Sequence, residues 1–188
     1  MSSTDNLERA FASTRSVLTN VTPAQLDAST PCASWDVRTL LNHVVGGTHH
    51  FARSMRGEAA PGGEAPDFAA GDFVAVFDDG AAQAVAAFAA PGAAEQMVTL
   101  PFGTLPGAAF MSIAATDSFA HGWDLARATG QSSDLDPKLA ALLLENAKGF
   151  LPDALRGPDG TAPFGPRADA PASATAADEL AAFLGRDV

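Results

Sequence analysis

Apolar residues recur along most of this chain at intervals of three and four, the spacing that gathers them on one side of a helix. Leu7, Phe11 and Val17/Leu18 mark the first such face, from a cap at Thr4 or Asp5 to about Leu18. Asn20 to Ser34 reads as a connecting segment. Thr22-Pro23 can start one short turn there, and Thr30-Pro31-Cys32 is held extended by its proline. Asp36 caps a second helix that continues to about Arg56 and stops at Gly57. Its buried stripe is Val37, Leu40, Leu41, Val44, Thr48, Phe51 and Met55. Glu58 to Asp67, rich in Gly, Pro and Ala, reads as a mobile loop. A third helix, about Ala70 to Ala89, presents Phe73, Val76/Phe77, Ala84 and Phe88. Gly80 weakens it by about 1 kcal/mol relative to Ala, which marks a place for a kink or break, and Pro91-Gly92 ends it.

Gln96 to Leu100 has β character and Pro101-Phe102-Gly103-Thr104 is turn-like. With no partner strands elsewhere, a short extended excursion is expected there rather than a sheet. Pro106-Gly107 leads into an Ala-rich helix from about Ala108 to Thr129, ended by Gly130. Asp136-Pro137 starts a fifth helix to about Phe150, a cap followed by proline at the first helical position. Gly157 to Ser173 is Pro/Gly-rich and is expected to wrap the surface, before a last short helix from about Ala176 to Leu184. The sum is an all-α fold: an up-and-down helical bundle in one domain, residues 1–188, with 157–188 as a wrapping tail plus short helix.

Composition narrows the function classes. The chain has 188 residues, is 47% apolar and carries a formal net charge of −11, with Lys138 and Lys148 its only lysines. That charge argues against nucleic acid or an anionic membrane as partner. No segment has the apolar length of a membrane span and the start lacks a secretory pattern, so a cytoplasmic protein is expected. Cys32 is the only cysteine, which excludes an intrachain disulfide and fits a reducing compartment.

Candidate chemistry centres on Asp117-Ser118-Phe119-Ala120-His121-Gly122-Trp123-Asp124-Leu125-Ala126. Asp117 and His121 are four residues apart, so they leave one helix face a turn apart and can share a metal ion. The ordinary alternative for this spacing is a surface contact or a hydrogen-bonded core pair. His43 lies at the edge of the stripe on the second helix, in equally apolar surroundings. A buried carboxylate without a cation or donor costs several kcal/mol, and a divalent ion between His43, Asp117 and His121 would remove that cost. Three protein ligands leave a coordination position open, the stoichiometry of a catalytic site.

His50 is a fourth ligand or a pocket-wall donor, although two turns, roughly 10 Å, separate it from His43; His49 is expected to be exposed. Gly46 and Gly47 either clear room for a ligand or allow helices to pack closely. Trp35 and Trp123 are expected in the core or at its rim. Asp124 is either an acceptor for an imidazole N–H, a solvated charge, or a partner of Arg127 or Arg38. Cys32 reads as an inert buried thiol, since no nearby base or cation stands out to activate it.

The motif Thr30-Pro31-Cys32-x-x-Trp35-x-Val37-Arg38-x-Leu40-Leu41-Asn42-His43-x-x-Gly46-Gly47 resembles one found in a known family. So do Phe102-Gly103-x-x-Pro106-Gly107 and Asp117-x-x-x-His121-Gly122-Trp123-Asp124-Leu125-Ala126-x-Ala128-Thr129-Gly130. Phe164-Gly165-Pro166 and Ala182-Phe183-Leu184-Gly185-Arg186 are similar to its C-terminal end. The family is the actinobacterial metal-binding group related to the N-terminal domain of mycothiol-dependent maleylpyruvate isomerase, within the DinB/YfiT-like superfamily. The resemblance implies a DinB-type four-helix bundle with additional short helices, and a divalent ion, zinc or nickel, on His43, Asp117 and His121. It also implies activation of a small thiol, mycothiol, for attack on an electrophilic substrate, as in S-transferases and isomerases, and by analogy a homodimer. Arg53, Arg56 and Arg127 are candidates to hold the thiol's carboxylate. Two departures weigh against isomerisation itself: the isomerase has Glu where this chain has Asp117, and the chain is expected to lack the isomerase's extra C-terminal domain. The alternative class is a metal- or ligand-binding helical bundle without catalysis.

Overall fold

From Ala114 to Ala126 a single helix is buried at every position except Asp117. A helix apolar nearly all round must lie inside the molecule, and the other elements pack around it. In the computed structural model, which describes residues 4–32, 34–158, 161–162 and 164–188, this helix is α4, Gly107–Ala128. Before it come α1 (Asp5–Leu18), α2 (Val37–Arg56) and α3 (Phe73–Phe88); after it come α5 (Pro137–Phe150) and α6 (Ala176–Phe183). Single 3-10 turns lie at Pro23–Gln25, Phe68–Ala70 and Asp153–Leu155. The protein is thus mostly helical. No helix among the described residues is long and apolar enough to cross a membrane.

The closest helix contacts are made where glycine removes a side chain. A Cβ on Gly122 of α4 would stand 2.6 Å from Thr14 Oγ1 of α1, and that hydroxyl donates to the Ser118 carbonyl at 2.7 Å. A Cβ on Gly80 would collide with Thr48 Oγ1 and lie 2.9 Å from the His49 ring, so α3 can rest on α2 only with glycine there. Helix α3 runs unbroken through Gly80; the residue serves an approach between helices. His49 is half-buried in that contact, its Nε2 3.1 Å from the Val76 carbonyl and its ring stacked on Phe68. This corrects the expectation that it is exposed.

Helix ends follow the local chemistry. Asp36 accepts from the Thr39 N–H at 2.8 Å and Gly57 ends α2 in the left-handed region at φ 68°. The seven residues expected in its stripe, from Val37 to Met55, are all buried. Asp136 caps α5 through the Leu139 N–H and is also held by Arg9 of α1, at 2.7 and 3.0 Å.

Two connecting segments depart from expectation. Met97–Leu100 (β1) and Gly103–Pro106 (β2) form an antiparallel hairpin, Met97 opposite Pro106 and Leu100 opposite Gly103. The partner strand is the stretch immediately following, and burial of Val98 and Leu100 supports a pairing too small to stand alone. Thr30-Pro31-Cys32 bends instead of extending, as Ser29 bridges back to Asp36. Thr30 Oγ1 ties this bend, accepting from the Cys32 N–H at 3.1 Å and donating to the Trp35 carbonyl at 2.9 Å.

The stretch 157–173 is largely exposed, with residues 159, 160 and 163 outside the described set. It is anchored by Arg156, whose Nη1 donates to the carbonyls of Phe183 and Gly165 at 2.7 and 3.2 Å. Arg156 and Arg167 both lie over the Phe183 ring, 4.7 Å from its centroid. Gly165 and Gly185 meet back to back: a Cβ on Gly185 would stand 2.6 Å from Gly165 Cα, and Gly185 itself is left-handed at φ 95°. Past this turn the Arg186 side chain reaches into the interior.

Candidate metal centre

Three side chains from two helices meet where α2 crosses α4. His43 comes from the second turn of α2; Asp117 and His121 come from successive turns of α4. One ligand atom from each lies within 4.8 Å of the others. Asp117 Oδ1 is 3.6 Å from His43 Nε2 and 3.5 Å from His121 Nε2. These separations are longer than a good N–H···O bond. They are close to the roughly 3.4 Å between two ligand atoms that share a tetrahedral ion at about 2.1 Å. His43 Nε2 is buried and without a hydrogen-bond partner. A buried ring nitrogen facing a carboxylate oxygen beyond hydrogen-bond range fits a pair that would share a cation.

The neighbouring carboxylate sharpens the fit. His121 Nδ1 lies 2.9 Å from Asp124 Oδ2, and Asp124 is fully buried. A neutral ring that donates Nδ1–H to Asp124 keeps its lone pair on Nε2, pointing at Asp117. Of the readings open for Asp124, the imidazole contact is the one found. Its cationic partner is neither Arg127 nor Arg38 but Arg186, which donates from Nε to Oδ1 at 3.2 Å and from Nη2 to Oδ2 at 2.9 Å. Arg38 pairs with Asp67 instead.

The electrostatics show how strongly the cluster asks for positive charge. Burial raises the Asp117 carboxyl, but His121, then His43, outweigh it and hold the group far below the usual carboxylate range. Burial lowers His121, and Asp117, Asp124 and Cys32 more than reverse this, so its pKa is raised well above the usual value. Burial raises Asp124, and Arg186 followed by His121 brings it down to about 2.

Trp35 forms the rim, its ring 4.8 Å from that of His43 and 5.7 Å from that of His121. Cys32 is half-buried beside it, Sγ 3.2 Å from Asp124 Oδ2, 4.0 Å from His121 Nδ1 and 3.7 Å from Arg186 Nη2. The reading of Cys32 as a thiol without base or cation nearby is thereby corrected. Its neighbours come from residues 89 to 154 positions away, a proximity no local pattern shows.

His50 shares the face of His43 but is exposed, its ring 6.5 Å from Phe110 and its ligand atoms outside the converging set. Partial loss of water around the ring, then the charge of Arg53, lower its pKa. A Cβ on Gly47 would meet only the Phe51 ring, at 3.8 Å, and one on Gly46 only Phe68, at 3.4 Å. Gly46 thus seats the Phe68 ring of the 3-10 turn, while at Gly47 no other element approaches. Trp123 and Arg127 are placed elsewhere: the indole donates to Asp178 of α6 at 2.9 Å, and Arg127 lies over that indole. Arg56 is paired with Glu58.

A carboxylate and two imidazoles from two helices, with a second carboxylate behind one ring, define a helical protein with a candidate mononuclear metal centre. Residues 7–126, which hold all three converging residues, match the family described as the mycothiol maleylpyruvate isomerase N-terminal domain, and the chain belongs to that family. Two Mycobacterium tuberculosis proteins, from strains CDC 1551 / Oshkosh and ATCC 25618 / H37Rv and each named only as uncharacterized, are 40% identical to it over 181 residues, covering 96% of each chain. No solved structure matches the chain.

Proposed function

We propose that the protein is a metal-dependent enzyme of the thiol S-transferase type, acting with mycothiol as the thiol on a small electrophile. Residues 1–188 are taken as one DinB/YfiT-like four-helix-bundle domain, working in the cytoplasm. His43, Asp117 and His121 would hold the ion, zinc or nickel. The observation that carries the proposal is the pair of gaps at Asp117 Oδ1, 3.6 and 3.5 Å to two imidazole nitrogens, with His43 Nε2 buried and unpartnered. A divalent ion there would supply a lowered thiol pKa, making a thiolate available near neutral pH.

The chain's own residues account for the remainder of the chemistry. Asp124 keeps the His121 ring oriented with Nε2 toward the ion position. Trp35 shields one side of the two imidazoles from water. Gly47 leaves the α2 face open beside His43, where a thiol substrate can approach, whereas Gly46 lies under the Phe68 ring. His50, whose pKa is lowered by desolvation and by Arg53, is on the same face and is suited to accept the thiol proton. Arg53 forms no ion pair among the described residues and is the arginine left to meet a substrate carboxylate, since Arg56 and Arg127 are engaged.

The direct test is thiol consumption with an electrophile in the presence of Zn2+. Turnover is expected for the native chain and not for His43→Ala. A metal-replete protein that binds the thiol and never turns over would instead favour a binding bundle without catalysis.

A further inference from the structure

Two triads converge at this site, and they share His121. Besides His43, Asp117 and His121, the ligand atoms of Cys32, His121 and Asp124 also lie within 4.8 Å of one another. The first set uses Nε2 of the shared imidazole; the second would use Nδ1. A sulfur, a nitrogen and a carboxylate oxygen make a donor set suited to zinc. A neutral imidazole has one lone pair, so it can serve only one of the triads.

The inner triad already holds a cation. Arg186 grips Asp124 with two donors, Nε to Oδ1 at 3.2 Å and Nη2 to Oδ2 at 2.9 Å, and reaches Cys32 Sγ at 3.7 Å. Asp124 Oδ2 thus faces three donors: the guanidinium, His121 Nδ1 and the Cys32 thiol. A metal ion would displace the protons of the thiol and of Nδ1, but the guanidinium keeps its protons and its charge, so it stays on both carboxylate oxygens and opposes a second cation there. We propose that Arg186 is a built-in cation that closes the inner Cys32–His121–Asp124 triad to metal and so commits His121 to bind through Nε2 in the outer triad.

The fold delivers Arg186 from the far end of the chain, beyond the 7–126 stretch that matches the family. The left-handed Gly185 turns the backbone inward against Gly165, and the Arg186 N–H donates to the Ala181 carbonyl at 3.0 Å. The guanidinium is then nearly buried, with Nη1 on the Leu184 carbonyl at 3.2 Å. A planar fork engages both carboxylate oxygens at once, which a lysine ammonium cannot do. Arg186 touches no ion in this arrangement; it is a positioning residue that sets which nitrogen binds, how many ions bind and whether sulfur is a ligand.

The inference depends on the outer triad being the metal site, and cobalt titration separates the two. The full chain is titrated with Co2+ and read for stoichiometry and for sulfur-to-cobalt charge-transfer absorption. The native chain is expected to take one ion per chain with no such absorption. Arg186→Met is expected to gain the absorption, and Arg186→Met with Cys32→Ser to lose it again. A native chain that shows the sulfur band, or a folded Arg186→Met chain whose spectrum and stoichiometry are unchanged, overturns the proposal. If the native chain takes no cobalt and Arg186→Met takes it through Cys32, the outer-site reading fails and the blocking role stands; if neither takes it, both fail. Should Arg186→Met not fold, nitrogen-15 NMR of the zinc-loaded native chain decides: Nδ1 protonated and zinc on Nε2 supports the proposal, and the reverse contradicts it.

Discussion

Asp117 is the only break in the buried run of α4, and what it faces on α2 is the Nε2 of His43, 3.6 Å from its Oδ1. Asp117→Asn keeps the size of this side chain and removes its charge. Metal affinity, measured by competition with a chelator, is expected to fall by more than the roughly 10–100-fold typical of losing an outer partner. Helical circular dichroism should be unchanged.

Metal binding should strengthen with pH. The raised pKa of His121 in the metal-free protein means that a proton occupies the ring at neutral pH, and an ion must displace it. Below that pKa, affinity is expected to rise about tenfold per pH unit for this one proton. Zinc titrations at stepped pH values read the slope; a flat profile would show that no proton is released.

Asp124 should make stability acid-sensitive. Its folded-state pKa is about 2 against an ordinary 3.8. Between these values the unfolded chain binds a proton that the folded chain does not, so stability is present above about pH 4 and is lost as pH falls toward 2. Asp124→Asn leaves the nearly buried Arg186 without its carboxylate, at a cost of about 3 kcal/mol or more at pH 7. Denaturant melts should show this deficit shrinking, by on the order of 2 kcal/mol, as pH is lowered through that window.

Two glycines should respond oppositely to alanine. Gly122→Ala drives a Cβ to 2.6 Å from Thr14 Oγ1 and is expected to cost about 1–3 kcal/mol. Gly47→Ala adds a Cβ no closer than 3.8 Å to any neighbour and is expected to stabilise the helix by about 0.5–1 kcal/mol. If the α2 face at Gly47 admits the substrate, the same change should raise KM for the thiol.

The pattern of what was legible follows from distance along the chain. The bounds of α2 were readable because Asp36, Gly57 and the apolar stripe all act within a few residues. The proximity of Asp117 to His121 follows from one turn of helix. Arg186 was hidden because it reaches Asp124 across 62 positions, whereas Arg127 lies three residues away on the same helix. The same remoteness made Cys32 look inert. The use of Gly80 is not legible locally because it lies in another helix, where Thr48 and His49 occupy the space a side chain would need. The hairpin was missed because pairing was sought elsewhere, when β2 begins three residues after β1 ends.

The most direct measurement is the divalent metal content of the chain, purified without added metal, alongside His43→Ala prepared identically. Near one zinc or nickel ion per native chain, and close to none in a His43→Ala protein with unchanged helical content, is the predicted result. A native chain that neither carries nor takes up a divalent ion, or a His43→Ala chain that holds it as tightly, would contradict the metal centre and the thiol chemistry built on it.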